Sequence, residues 1–250
     1  SFGYVYLGGD IRNLTILLLL SLLTTGWGQD CDDGYSEIDG ECYYQSDLDV
    51  LQKFIDNSQE GENPPPSNLH LLELGTQNWD NGRLVKFYFG WNSSDDGYSL
   101  SGSFPNNLSN WSEMEDLSIW NQSFSSGPIL SQLFILFNLK ELRFVNNVFT
   151  EDFPNYIPYQ PNLVDLDIRH NDGLTGSIPE SIENIQNLEQ LTLTNNQITG
   201  SIPSEIGNLT KLITLSLSQN QFTGSIPSEI GNLANLSGLG LSYNQLTGSI

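Results

Sequence analysis

The chain has 250 residues, of which 30 are acidic, 8 basic and 2 histidine, for a formal net charge of −22. That balance excludes a nucleic-acid surface, whose phosphates require a basic footprint. It suits solubility in an extracellular or saline setting.

The chain starts at Ser1 rather than Met, and Ile250 falls where the internal pattern would place a following Pro, so it reads as a fragment at both ends. Arg12 followed by the apolar run Leu14–Leu23 resembles the basic and apolar regions of a signal peptide. The run is shorter than the ~20 apolar residues a spanning helix needs. Gly26-Trp27-Gly28 places small residues at −3 and −1 of a cleavage point before Gln29. Residues 1–28 are therefore read as a signal peptide, with upstream read-through over 1–11.

Cys31 and Cys42 are the only cysteines, and an even pair this close in an exported chain reads as a disulfide. Two thiols lack the further ligands zinc requires. The acidic stretch between them, Asp32 to Glu41, lacks the ligand and Gly spacing of a calcium loop and reads as a solvated hairpin. Ser46-Asp47-Leu48-Asp49 has the form of a capping box with Asp in place of Glu, and Leu48, Leu51, Phe54 and Ile55 follow at helical spacing.

From Leu188 the sequence repeats every 24 residues: LEQLTLTNNQITGSIPSEIGNLTK, then LITLSLSQNQFTGSIPSEIGNLAN from Leu212, then LSGLGLSYNQLTGSI from Leu236. A period in the twenties is the signature of a solenoid, whose coils touch only their neighbours. Leu191 and Leu193 share one face of a strand, and Thr192 and Thr194 face outward. Asn196, Asn220 and Asn244 recur at one place, where a buried amide can satisfy the backbone of neighbouring turns. Gly200, Gly224 and Gly248 permit a tight bend, and Ile202-Pro203 opens the return side, from which Ile206 and Leu209 point back inward. Weaker copies start at Leu84, Met114, Leu139 and Leu163, with Gln122 at the Asn position of the second and an insertion near Ser93–Ser99 in the first. Residues 84–250 thus hold six units and a truncated seventh.

The pattern L-x-x-L-x-L-x-x-N-x-[LIF]-T-G-x-I-P resembles the plant-type leucine-rich repeat of receptor-kinase ectodomains and polygalacturonase inhibitors. The resemblance implies an α/β solenoid: a right-handed arc with a concave parallel β-sheet, short strands on the flank and 3₁₀ or irregular turns on the convex side. It also implies an N-terminal cap, which residues 29–83 would supply through the helix, Pro64-Pro65-Pro66 and Trp79. The cysteine pair usual just before the first repeat in that family is missing here.

On the concave side the outward columns read Tyr88, Ser118, Arg143, Asp167, Thr192, Ser216, Gly240 and, beside it, Gly90, Trp120, Val145, Arg169, Thr194, Ser218, Ser242. A third runs Trp91, Asn121, Asn146, His170, Asn195, Gln219, Tyr243. Aromatic and Arg side chains are the usual anchors of binding surfaces. The candidate ligand-binding residues are therefore Tyr88, Trp91, Trp120, Arg143, Asp167, Arg169 and His170. The competing reading has Arg143 and Arg169 merely neutralising Glu141, Asp165 and Asp167.

The motifs of nucleotide, zinc-protease and serine-hydrolase chemistry are absent, and Asp165 with Asp167 would lie on an open face unsuited to acid–base work. The sequence reading is a secreted or cell-surface, non-catalytic recognition module without a cofactor. Its partner is a protein, peptide or acidic glycan, and any membrane contact would come from a segment beyond residue 250. Two alternatives stand beside it: the ectodomain of a membrane receptor, and an adhesive or ice-binding surface built on Thr192, Thr194, Ser216 and Ser218. Sequons occur at Asn92, Asn107, Asn110, Asn121, Asn208 and Asn235.

Overall fold

In a computed structural model, residues 31–90, 97–124, 129–148, 150–157 and 159–248 are described. The signal-peptide reading of 1–28 lies outside them.

Each coil but the last buries its two strand leucines or their equivalents on one side. Leu191, Leu193, Leu215 and Leu217 are all wholly buried, as are Leu166 and Ile168, and Leu142 and Phe144. Alternation along the strand leaves the residues between them on the other side. The strands stack in parallel and in order: Arg83–Phe89, Asp116–Trp120, Glu141–Val145, Asp165–Arg169, Gln190–Thr192, Thr214–Ser216 and Gly238–Gly240, which we call coils 1 to 7. Their register aligns Tyr88, Ser118, Arg143, Asp167, Thr192, Ser216 and Gly240 in one row.

The sequence spacing of the Asn residues is explained by a buried hydrogen-bond ladder. The Asn147 carboxamide accepts from the Gln122 amide at 3.0 Å and donates to the Ile119 carbonyl at 3.0 Å. Asn171 repeats this with the Asn147 amide at 2.9 Å and the Phe144 carbonyl at 3.0 Å. Asn196 does so with the Asn171 amide at 2.9 Å and the Ile168 carbonyl at 2.7 Å. Each side chain thus satisfies two backbone groups that the bending chain would otherwise strand.

At the strand exit the chain must reverse direction. Asn121, Asn146, His170, Asn195, Gln219 and Tyr243 all adopt φ between 55° and 58°, the left-handed region that Asn tolerates best. On the convex side Pro179, Pro203 and Pro227 each precede a 3₁₀ turn, at Glu180–Asn184, Ser204–Asn208 and Ser228–Asn232. Coil 2 departs from this with a short α-helical segment, Ile129–Leu133.

The N-terminal end is closed by two hairpins and a helix. Strands β1 (Tyr35–Ile38) and β2 (Glu41–Tyr44) pair antiparallel around Asp39-Gly40, and Cys31 and Cys42 are disulfide-bonded, with Cα atoms 5.7 Å apart. The solvated hairpin read from the sequence is present. Strand β3 (Thr76–Asp80) pairs antiparallel with coil 1 across Asn81-Gly82, so the eight-stranded concave sheet begins in β3. Both turn residues have positive φ, as a two-residue hairpin of this hand requires. A Cβ on Gly82 would lie 2.3 Å from the Cys42 carbonyl, so the two hairpins meet at a point only Gly can occupy.

Helix α1 (Gln45–Asn57) buries Leu48, Val50, Leu51, Phe54 and Ile55, and the Phe54 ring meets Phe87, Phe104 and Trp111. The capping box expected at Ser46 is not formed. The helix starts two residues earlier, Tyr44 occupies the cap without a side-chain bond, and Gln45 Nε2 donates to Asp49 Oδ1 at 2.7 Å. The physical reason is that Asp47 is drawn inward, fully buried, to meet Arg83.

Coil 7 leaves its apolar side uncovered among the described residues: Leu239 is 49 % exposed, beside a cleft of about 560 Å³ lined by Ile226, Pro227, Ile230 and Leu241.

Candidate ligand-binding face

The concave side chains of coils 1 to 4 largely hold one another. Tyr88 Oη donates to Asp116 Oδ2 at 3.1 Å, and Lys86 Nζ pairs with the same oxygen. Asp116 is 4 % exposed, so this carboxylate is matched where it is poorly solvated. Lys140 Nζ reaches Glu115 at 2.7 Å. Arg143 spends both terminal nitrogens, Nη1 on Glu141 and Nη2 on Asp165 Oδ2 at 2.5 Å. Arg169 differs. Its Nε lies 3.3 Å from Asp167 Oδ2, without the alignment of a hydrogen bond, and its Nη1 and Nη2 make no hydrogen bond among the described residues.

The candidate residues therefore separate. Tyr88 is half-buried and committed to Asp116. Trp120 is buried at 7 % exposure and presents no ring to a ligand, which corrects the sequence expectation. Arg143 is closed between two carboxylates, as the competing reading held for it. Asp167 is 8 % exposed, too deep to be a surface anchor. Trp91 lies outside the described residues. Arg169 keeps an exposed guanidinium, with a side chain 43 % exposed. His170, on the neighbouring rim, is exposed, and its Nδ1 lies 2.8 Å from Asn195 Nδ2.

Burial pushes the Asp167 carboxyl up to about 6, against the pull of Arg169. Burial likewise raises Asp165, opposed by Arg143. Two oxygens on this face, Ser118 Oγ and Asp167 Oδ1, are buried without a hydrogen-bond partner. The sequence columns gave the side on which each residue lies. They did not reveal Asp116 and Asp165 as the groups that close Lys86 and Arg143. The signal was available in the adjoining column, where Asp116, Glu141 and Asp165 succeed Lys86.

The later coils present hydroxyls that also pair among themselves, Thr194 Oγ1 with Ser216 Oγ at 2.9 Å and Ser242 Oγ with Ser218 Oγ at 3.2 Å. Among the described residues no group of three or more His, Cys, Asp or Glu side chains is placed to hold a metal ion. No described helix is long and apolar enough to cross a membrane.

The solenoid, its Asn ladder and its flanking turns have the leucine-rich repeat fold, and the repeats resemble the plant type of receptor-kinase ectodomains. Residues 186–246 match the leucine rich repeat family model. No curated protein matches the sequence. Among solved structures the chain is similar to the Arabidopsis receptor kinase HAESA, there in complex with the peptide hormone IDA and the co-receptor SERK1. The identity is 33 %, with a TM-score of 0.58, over 66 % of this chain and 26 % of that one. It is also similar to a pollen receptor kinase 3, at 25 % identity and a TM-score of 0.59 over 80 % of this chain and 95 % of that one. A plant ice-binding protein shares the fold at 21 % identity and a TM-score of 0.61, over 83 % of this chain and 66 % of that one. The chain spans about a quarter of the length of the HAESA ectodomain.

Proposed function

We propose that this chain is an extracellular, non-catalytic recognition module that holds an acidic peptide, protein segment or glycan on its concave face, with Arg169 as the anchoring cation and His170 beside it. One observation carries the reading. Lys86 and Arg143 are closed on carboxylates and Lys140 is paired with Glu115, whereas both terminal nitrogens of Arg169 make no hydrogen bond among the described residues. A planar guanidinium with two open nitrogens suits bidentate capture of a carboxylate or sulfate. The rigid sheet presents it with little ordering cost on binding. The likeness to receptors solved with peptide hormones supports a peptide or protein as the partner.

A tripeptide amide carrying one sulfotyrosine serves as the probe. Arg169→Ala should weaken its binding by about 1 kcal/mol or more, while Thr192→Ala and Ser216→Ala do little. Equal losses in all three would remove Arg169 as the anchor. A receptor ectodomain is the second reading, favoured by the likeness over 95 % of the pollen receptor kinase 3 chain. A gene encoding a further apolar span of ~20 residues would support it, and one without such a span would count against it.

A further inference from the structure

We propose that Asp167 is a proton-operated gate on Arg169: as a carboxylate it holds the guanidinium, and on protonation it frees that charge for an acidic ligand. This deepens the reading of Arg169 as the anchor and rests on it.

The geometry places Asp167 two residues from Arg169 on the same face of one strand. It is 8 % exposed, Oδ2 lies 3.3 Å from Arg169 Nε, and Oδ1 is buried with no hydrogen-bond partner. A carboxylate in that setting is short of donors, so its charge leans on the one guanidinium beside it. The charged groups that face it are few. Its own strand supplies Asp165 and Arg169, and the adjacent strand of coil 3 supplies Glu141 and Arg143, with Arg143 committed to Glu141 and Asp165. The adjacent strand of coil 5 offers Gln190 and Thr192, which carry no charge. His170 follows Arg169 on the exposed rim. Burial has already moved Asp167 up to about 6, which brings the exchange within reach of ordinary extracellular solutions.

The sign follows from competition. Above about 6 Asp167 is charged and competes with the ligand for Arg169. Below it Asp167 is neutral and Arg169 faces the ligand uncompensated. Affinity for an anion therefore falls as pH rises through that value. By linkage, a bound anion raises the proton affinity of Asp167, so binding near the midpoint takes up a proton.

The sulfotyrosine tripeptide amide tests this, because its sulfate stays ionised throughout. The wild-type chain should bind it about three- to tenfold more tightly at about pH 5 than at about pH 8, a step worth ~1 kcal/mol. Asp167→Asn should bind tightly at both and lose the step. His170→Gln should keep it. If Asp167→Asn retains the wild-type step, the gate is overturned. If instead Arg169→Ala binds as the wild type does, the anchor reading has failed, a distinct result. A ligand-free readout stands beside these: the Arg169 Nε–Hε resonance should titrate in the wild type with the Asp167 midpoint and not in Asp167→Asn. A resonance that does not respond overturns the gate whatever the probe does.

Discussion

Asp47, fully buried in α1, accepts on Oδ2 from both Arg83 Nε at 2.8 Å and the Leu84 amide at 3.0 Å. Through that oxygen the helix of the cap is bonded to the first strand of the solenoid. The Arg83 guanidinium also sits over the Tyr44 ring, 4.2 Å from its centroid, and Nη2 donates to the Asn110 carbonyl at 3.0 Å. The helix is held to the strand by a charge pair whose carboxylate is fully buried and whose guanidinium is mostly so.

Removing the cation alone should therefore be costly. Arg83→Met leaves Asp47 buried and uncompensated, and should destabilise the fold by about 3 kcal/mol. Adding Asp47→Asn should recover part of the loss. Burial already holds the Asp47 carboxyl above its ordinary value, and loss of Arg83 raises it further. The single variant should accordingly regain stability as pH falls, because its folded form then binds the extra proton. Urea midpoints of wild type, single and double variants at two pH values would decide it, and an unchanged midpoint in Arg83→Met would refute the role given to the pair.

The Asn ladder gives a second expectation. Asn171 is wholly buried, and Asn171→Ala strands the Asn147 amide and the Phe144 carbonyl in the interior. Each orphaned group costs about 1–3 kcal/mol, so a loss of about 2–6 kcal/mol is expected. Gln190→Ala, exposed on the next strand, should cost far less. Comparable losses at both positions would show that the ladder contributes nothing special.

These two cases show where the sequence was legible. The ladder is written into it because one residue type must recur at one coil position for the backbone bonds to close, and Gln122 is readable as its longer substitute. The two faces of each strand were equally legible, since alternation fixes them. Pairing across the concave face was not. Arg143 is in register with Asp167 but bonds Asp165, a diagonal choice set by side-chain length and by the placement of Glu141. Trp120 reads as an anchor by type and column, yet packing removes it from solvent. Ser46 reads as a cap, yet burial of the next residue, Asp47, shifts the helix start.

The strand exits give a third expectation, on stability alone. Gln219 holds φ 57° where coils 2, 3 and 5 place Asn. A left-handed conformation costs an ordinary residue roughly 1–2 kcal/mol, and Asn less. Gln219 is exposed, so little packing opposes a change. Gln219→Asn should raise stability by about 0.5 kcal/mol or more, seen as a higher melting temperature. A drop would mean that the Gln side chain carries a contact that outweighs the strain.

Glu151 supplies the last expectation and its sign. Burial pushes this carboxyl from 4.5 up to about 7, although Oε1 accepts from the Leu130 amide at 3.0 Å and Asp152 adds its repulsion. The native state thus binds a proton between those two values that the unfolded chain has released. Stability from this group is complete below the unfolded value and is lost as pH rises through about 7. Asp167 slopes the same way, so the wild-type profile alone cannot separate them. Glu151→Gln keeps an acceptor for the Leu130 amide and removes the charge. It should leave stability near pH 5 almost unchanged and raise it near pH 8 by about 1–3 kcal/mol. The measurement is the difference between wild-type and variant urea midpoints at the two pH values. A difference that does not grow with pH would show that Glu151 is ionised in the native state across the range, solvated well enough to keep its ordinary acidity.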